Sequence, residues 1–96
     1  MERLTELKDK IMPVLMPYGV KRVALFGSVA RGEDTAQSDV DILVAFKAPV
    51  GLLRLAHMQR ELEERLSRPV DLLTEGFLSR YIRPQVRREQ VVLYEE

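Results

Sequence analysis

The sequence predicts one small domain of the α/β (α+β) class, a short β-sheet packed with helices. Two periodicities predict it. Stretches with apolar residues every three or four positions alternate with apolar runs too short to be helices. Proline and glycine mark most of the joins between them. Length agrees, because 96 residues suit a single domain with a modest core, 1–96, and leave no room for a second module.

Taken in order, Leu4, Leu7, Ile11, Val14 and Leu15 make one face of a first helix that stops at Pro17 and Gly19. Pro13 stands late in that pattern and is expected to kink or shorten it. Val23–Phe26 follows as a buried strand, then a short helix opening at Gly27, a polar loop over Glu33–Gln37, and a strand Asp39–Phe46. After Pro49 and Gly51 a second long helix turns Leu52, Leu55, Ala56, Leu62 and Leu66 to the core, with Arg54, Glu61, Glu64 and Arg65 elsewhere. Val70–Thr74 is a further strand. Phe77 to Gln90 reads as a third helix interrupted near Pro84, and Val91–Tyr94 as a last strand. No repeat or low-complexity segment occurs.

The chemistry concentrates at the first strand's end. Gly27 and Ser28 form a small-residue corner where strand becomes helix, so backbone N–H groups and the Ser28 hydroxyl can meet an anion, with phosphate the natural guest. After ten intervening residues beyond Ser28 the strand opens as Asp39-Val40-Asp41, and alternation sends both carboxylates to one face and Val40 and Ile42 to the other. Two carboxylates so placed suit a pair of hard divalent ions, Mg²⁺ or Mn²⁺. Asp71 alternates against Val70 and Leu72 in the same way, and a neighbouring strand would bring it close. Three such acids repel one another without cations. Structural readings stand beside these: Asp39 as a cap after Ser38, Asp41 as an exposed strand position, Asp71 as a solvated residue after the Arg68-Pro69 turn.

A Gly-Ser pair, ten intervening residues and Asp-x-Asp together resemble the signature of the DNA polymerase β-like nucleotidyltransferase superfamily. In size the chain resembles its minimal nucleotidyltransferases, the MNT proteins often paired with a HEPN-domain partner as antitoxins, and the likeness runs from Val20 to Tyr94. The resemblance implies a mixed sheet with a polymerase β-like fold. It also implies that Gly27 and Ser28 hold a nucleotide triphosphate, that Asp39 and Asp41 ligate two Mg²⁺ ions, and that Asp71 is a third carboxylate near the attacking hydroxyl. Arg31 and Gly32 match the family's Arg-Gly, Gly32 allowing a turn out of the short helix and Arg31 steadying phosphate or the local fold. Ile42 stands where leucine is commoner, a change of apolar shape only. The function implied is transfer of AMP from ATP to a tyrosine hydroxyl of a cognate HEPN toxin, in a type VII-like toxin–antitoxin pair. Two alternatives stand: neutralisation of the toxin by contact alone, or transfer to a small hydroxylated molecule such as an aminoglycoside.

Composition narrows the classes. Fifteen basic and fifteen acidic residues balance, whereas a duplex binder carries a basic excess, so nucleic acid is disfavoured as a partner. With no cysteine there is no disulfide, thiol catalysis or thiolate metal site. No apolar run approaches the roughly 20 residues that span a bilayer and no secretory leader is visible, so cytoplasm is the expected location. Ser28 lacks a histidine partner nearby for nucleophilic work. The lone His57 reads as surface or structural, Arg80, Arg83 and Arg87 as a solvated basic row, and Tyr81 and Tyr94 as core or interface.

Overall fold

The structure is a computed structural model in which residues 2–35, 37–74 and 89–96 are described. Helix α1 (Glu2–Leu15) passes through Pro13 and then tightens into a 3₁₀ turn at Met16–Tyr18, so the proline does not end it. Strand β1 (Val20–Phe26) leads into the five-residue α2 (Gly27–Arg31). Strand β2 (Val40–Phe46), helix α3 (Leu52–Leu66), strand β3 (Val70–Thr74) and strand β4 (Val91–Glu95) complete the described elements. The expected helix from Phe77, its Pro84 break, Tyr81 and the Arg80, Arg83, Arg87 row fall outside the described residues.

The four strands lie in the order β3-β2-β1-β4. β1 runs antiparallel to both β2 and β4, while β2 and β3 are parallel and are joined by α3. A mixed sheet follows from those connections, since parallel neighbours need a crossover and α3 supplies it. Helices and sheet share a core in which Ile11, Leu15, Val23, Leu25, Ile42, Val44, Met58 and Leu62 are fully buried. At about 1.5–3 kcal/mol for each large apolar side chain, this cluster is the main source of stability.

The first helix buries Leu7, Ile11, Val14 and Leu15 as its spacing predicts. The second buries only the later part of its predicted face, Leu62 and Leu66, with Leu55 half-buried. Leu52 is 72% exposed and Ala56 is exposed, while Met58 joins Leu62 and Leu66 in the core. Leu55, Met58, Leu62 and Leu66 recur at three- and four-residue steps, so the buried stripe begins at Leu55 and leaves Leu52 and Leu53 of the first turn exposed. Among the described residues no helix is long and apolar enough to cross a membrane.

Candidate active site

Strand register assembles the site. Phe26, the last residue of β1, lies opposite Asp41 of β2, and Asp41 lies opposite Asp71 of β3. The chain leaving Phe26 therefore turns directly beside Asp41. Gly27 takes φ +72°, and a Cβ built on it would overlap Asp41 Oδ2 and lie 3.1 Å from Asp41 Cγ. Only glycine tolerates both that backbone and that approach. The Asp41 carboxylate is thus seated against bare backbone at the mouth of the strand-to-helix corner.

Helix α2 leaves the corner at once. Gly32, at φ +73°, closes it in a Schellman arrangement: the Gly32 N–H donates to the Val29 carbonyl at 3.2 Å and the Glu33 N–H to the Ser28 carbonyl at 2.9 Å. This is the turn expected of Gly32. A five-residue helix has little dipole, so the corner's anion affinity comes from its local N–H groups rather than a helix field. Arg31, in the last turn, is 43% exposed and pairs with Glu33 at 3.2 Å and Glu89 at 3.5 Å. It lies near enough to Asp41 to favour that residue's ionised form.

The carboxylates differ in setting. Asp41 is half-buried, and its carboxyl is raised above the ordinary value by burial first, then by the charges of Asp71 and Asp39, with Arg31 opposing them. Asp71 is exposed at the second position of β3. Asp39 is exposed and sits just before β2, which begins at Val40 rather than at Asp39 as the sequence suggested. Strand alternation thus orders Asp41 and Asp71, while Asp39 belongs to the preceding loop. Among the described residues no three acidic, His or Cys side chains converge as a ready-made metal cage. The three aspartates share one end of the sheet, where the charges of Asp71 and Asp39 act on Asp41.

Sequence reasoning passed over the other half of the site. Arg68, read only as a turn residue, reaches Asp34 and the carbonyls of Thr35 and Ser38 across the loop before β2. These partners are about thirty positions away in sequence, so no local pattern announces them. His57, by contrast, is as expected: exposed, and bonded to Glu61 Oε1 at 2.9 Å on the surface of α3.

A glycine corner against an aspartate, with a second aspartate in register on the next strand, marks this end of the sheet as the candidate site. The family model described as nucleotidyltransferase domain matches residues 6–93.

The chain belongs to the nucleotidyltransferase domain family.

A Methanocaldococcus jannaschii protein provisionally named a protein adenylyltransferase is 42% identical over 88 residues, spanning 92% of this chain and 95% of that one. The protein adenylyltransferase MntA of Thermococcus cleftensis is 40% identical over 74 residues, 77% of this chain and 75% of that protein. The solved complex of tri-AMPylated Shewanella oneidensis HEPN toxin with MNT antitoxin contains a chain of the same fold. Its TM-score is 0.78 at 21% identity, covering 97% of this chain and 73% of that one. The α+β nucleotidyltransferase fold, with its mixed four-stranded sheet, accords with the expectation from sequence.

Proposed function

We propose that this nucleotidyltransferase is a protein adenylyltransferase that moves AMP from ATP to a tyrosine hydroxyl of a HEPN-domain toxin, and so acts in the cytoplasm as that toxin's antitoxin. The observation that carries the reading is the seat of Asp41 against Gly27 with Asp71 in register beside it. The names of the relatives supply the adenylyl group and the protein acceptor. The fold-level likeness to an MNT antitoxin supplies the kind of acceptor.

The residues divide the work as follows. N–H groups at Gly27 and Ser28 and the Ser28 hydroxyl hold the triphosphate, with Arg31 available to its charge. Asp71 orients the acceptor hydroxyl and takes its proton as the oxygen attacks the α-phosphorus; the bond to the bridging oxygen breaks and pyrophosphate leaves. The donor set fits a divalent cation: hard carboxylate oxygens, a half-buried Asp41 whose anionic form is disfavoured, and a cradle that a methyl group at Gly27 would fill. Mg²⁺ or Mn²⁺ held by Asp39, Asp41 and Asp71 would lower the pKa of the acceptor hydroxyl and offset charge on the leaving oxygens.

Intact mass spectrometry of a HEPN-domain protein, taken from the neighbouring gene where that gene encodes one, tests the reading, after incubation with Mg-ATP and either wild type or Asp39→Asn/Asp41→Asn. Gain of one or more AMP units with wild type alone is expected. No gain, with a stable complex still formed, would replace the enzyme by an antitoxin that works through contact.

A further inference from the structure

We infer that Arg68 is a positioning residue, which clamps the loop before β2 to the start of β3 and thereby fixes Asp39 relative to Asp41 and Asp71. The inference rests on the proposed role of those aspartates as cation ligands. Arg68 Nη2 donates to Asp34 Oδ2 at 3.1 Å and to the carbonyls of Thr35 and Ser38, each at 2.9 Å. Its Nε donates to the same Ser38 carbonyl at 3.2 Å. The Arg68 side chain is 16% exposed and the Asp34 side chain 4%, so the charge-assisted bonds to Asp34 and Ser38 are partly shielded from water, while the one to Thr35 lies at the surface.

The peptide groups on both sides of Asp39 are tied to this one segment. Ser38, before it, gives its carbonyl to Arg68, and Val40, after it, donates its N–H to the Pro69 carbonyl at 2.9 Å. The segment is itself anchored. Ser67, at φ +54°, donates its N–H to the Glu63 carbonyl at 2.8 Å, and Glu63 Oε2 accepts the Val70 N–H at 3.1 Å. Asp71 follows on the next residue. An exposed loop aspartate is thereby given a fixed place against two strand-borne ones. Lysine is a poor substitute, because it lacks the planar guanidinium whose Nε and Nη2 together grip the Ser38 carbonyl.

Arg68→Lys and Arg68→Gln test this by three readouts: Mn²⁺ binding to the nucleotide-free protein followed by electron paramagnetic resonance, deuterium exchange across residues 34–40, and AMP transfer. Groups that orient metal ligands typically change affinity about 10–100-fold when lost. Weakening of that size is expected, greater for glutamine than for lysine, with faster exchange at 37–40 and wild-type exchange in α1 and α3. A merely structural loss would lower the amount of folded protein without moving the Mn²⁺ midpoint. If the glutamine variant does not fold, the lysine variant decides. Wild-type Mn²⁺ affinity and exchange in a folded Arg68 variant would overturn the inference. Should wild type itself bind no Mn²⁺, the cation reading fails, and unchanged exchange at 37–40 would still overturn the clamp while faster exchange would uphold it.

Discussion

Asp41 and Asp39 stand two residues apart, yet the fold holds them by different means. Asp41 is fixed by a β-strand: register sets it opposite Phe26 and Asp71, and Gly27 closes against its carboxylate. Asp39 is fixed by a loop, through Ser38 and Val40 and the segment at Arg68 and Pro69. The strand-borne group is half-buried and held in an electrostatically unfavourable state, whereas the loop-borne group is exposed. A site built this way places strain on the residue with the most rigid support and leaves the adjustable carboxylate on a tethered loop.

The largest break in that comparison should come from Gly27→Ala. The methyl group meets the Asp41 carboxylate, so the side chain must leave its seat, and displacement of a reacting group by about 1 Å can cost on the order of a hundredfold. The forced left-handed backbone adds about 1–3 kcal/mol of instability. Gly32→Ala separates the two effects. It has the same sign of φ, +73°, but no atom within 4 Å of the added methyl. Thermal melts should show both variants destabilised, and AMP transfer per folded molecule should collapse only in Gly27→Ala. Equal activity in the two would mean that Asp41 is not held by the corner.

The sequence announced the strand-borne half of this arrangement because its signals are local. Gly27, Ser28 and Asp41 lie within fifteen residues, and alternation about Val40 and Ile42 assigns Asp41 to its face without knowledge of the sheet. Asp71 could be read as an aspartate of the same pattern, although only the parallel pairing of β2 and β3 makes it a neighbour. The loop-borne half was illegible, since Arg68 meets Asp34 across a separation of 34 residues and neither belongs to a periodic pattern. Only the start of helix α3 departed from its expected face, for a related reason. Apolar spacing alone cannot tell that its first turn stays out of the core, with Leu52 and Leu53 at 72% and 88% exposure, while Met58 enters it.

A smaller effect, opposite in sign to the loss of activity, should follow from Asp41→Asn in the ligand-free protein. The folded-state pKa of Asp41 is raised above its unfolded value. Stability from this group is therefore fully present below the unfolded pKa and is lost as pH rises through the folded one. Asparagine does not titrate, so the variant gains on wild type as pH climbs through that raised range and shows no such advantage in more acidic buffer. The gain should stay below about 4–8 °C in melting temperature, the shift that 1 kcal/mol makes in a domain of this size, because solvent screens a partly exposed carboxylate. Melting curves of apo wild type and variant from acidic to neutral pH give the comparison. A constant offset at every pH would assign the effect to packing rather than charge.

Asp39→Asn should change stability least, and it sharpens the contrast most directly. Asp39 is exposed, so its own amide replacement alters no buried contact, and surface changes of that kind stay within about 0.5 kcal/mol. Its charge does reach Asp41, but as the last of the three influences that raise the Asp41 pKa, after burial and Asp71. Removing it should therefore stabilise the apo protein slightly, by less than Asp41→Asn does under the same neutral conditions, while removing one of the proposed cation ligands and so lowering AMP transfer. Burial, the leading cause, is untouched by Asp39→Asn and loses its cost only when Asp41 itself becomes neutral. If the two single variants instead gained equal stability, and the double variant no more than either, the aspartates would be one coupled pair sharing a single repulsion. The division between a strand-held and a loop-held carboxylate would then fail, because neutralising either group would relieve the whole of the strain.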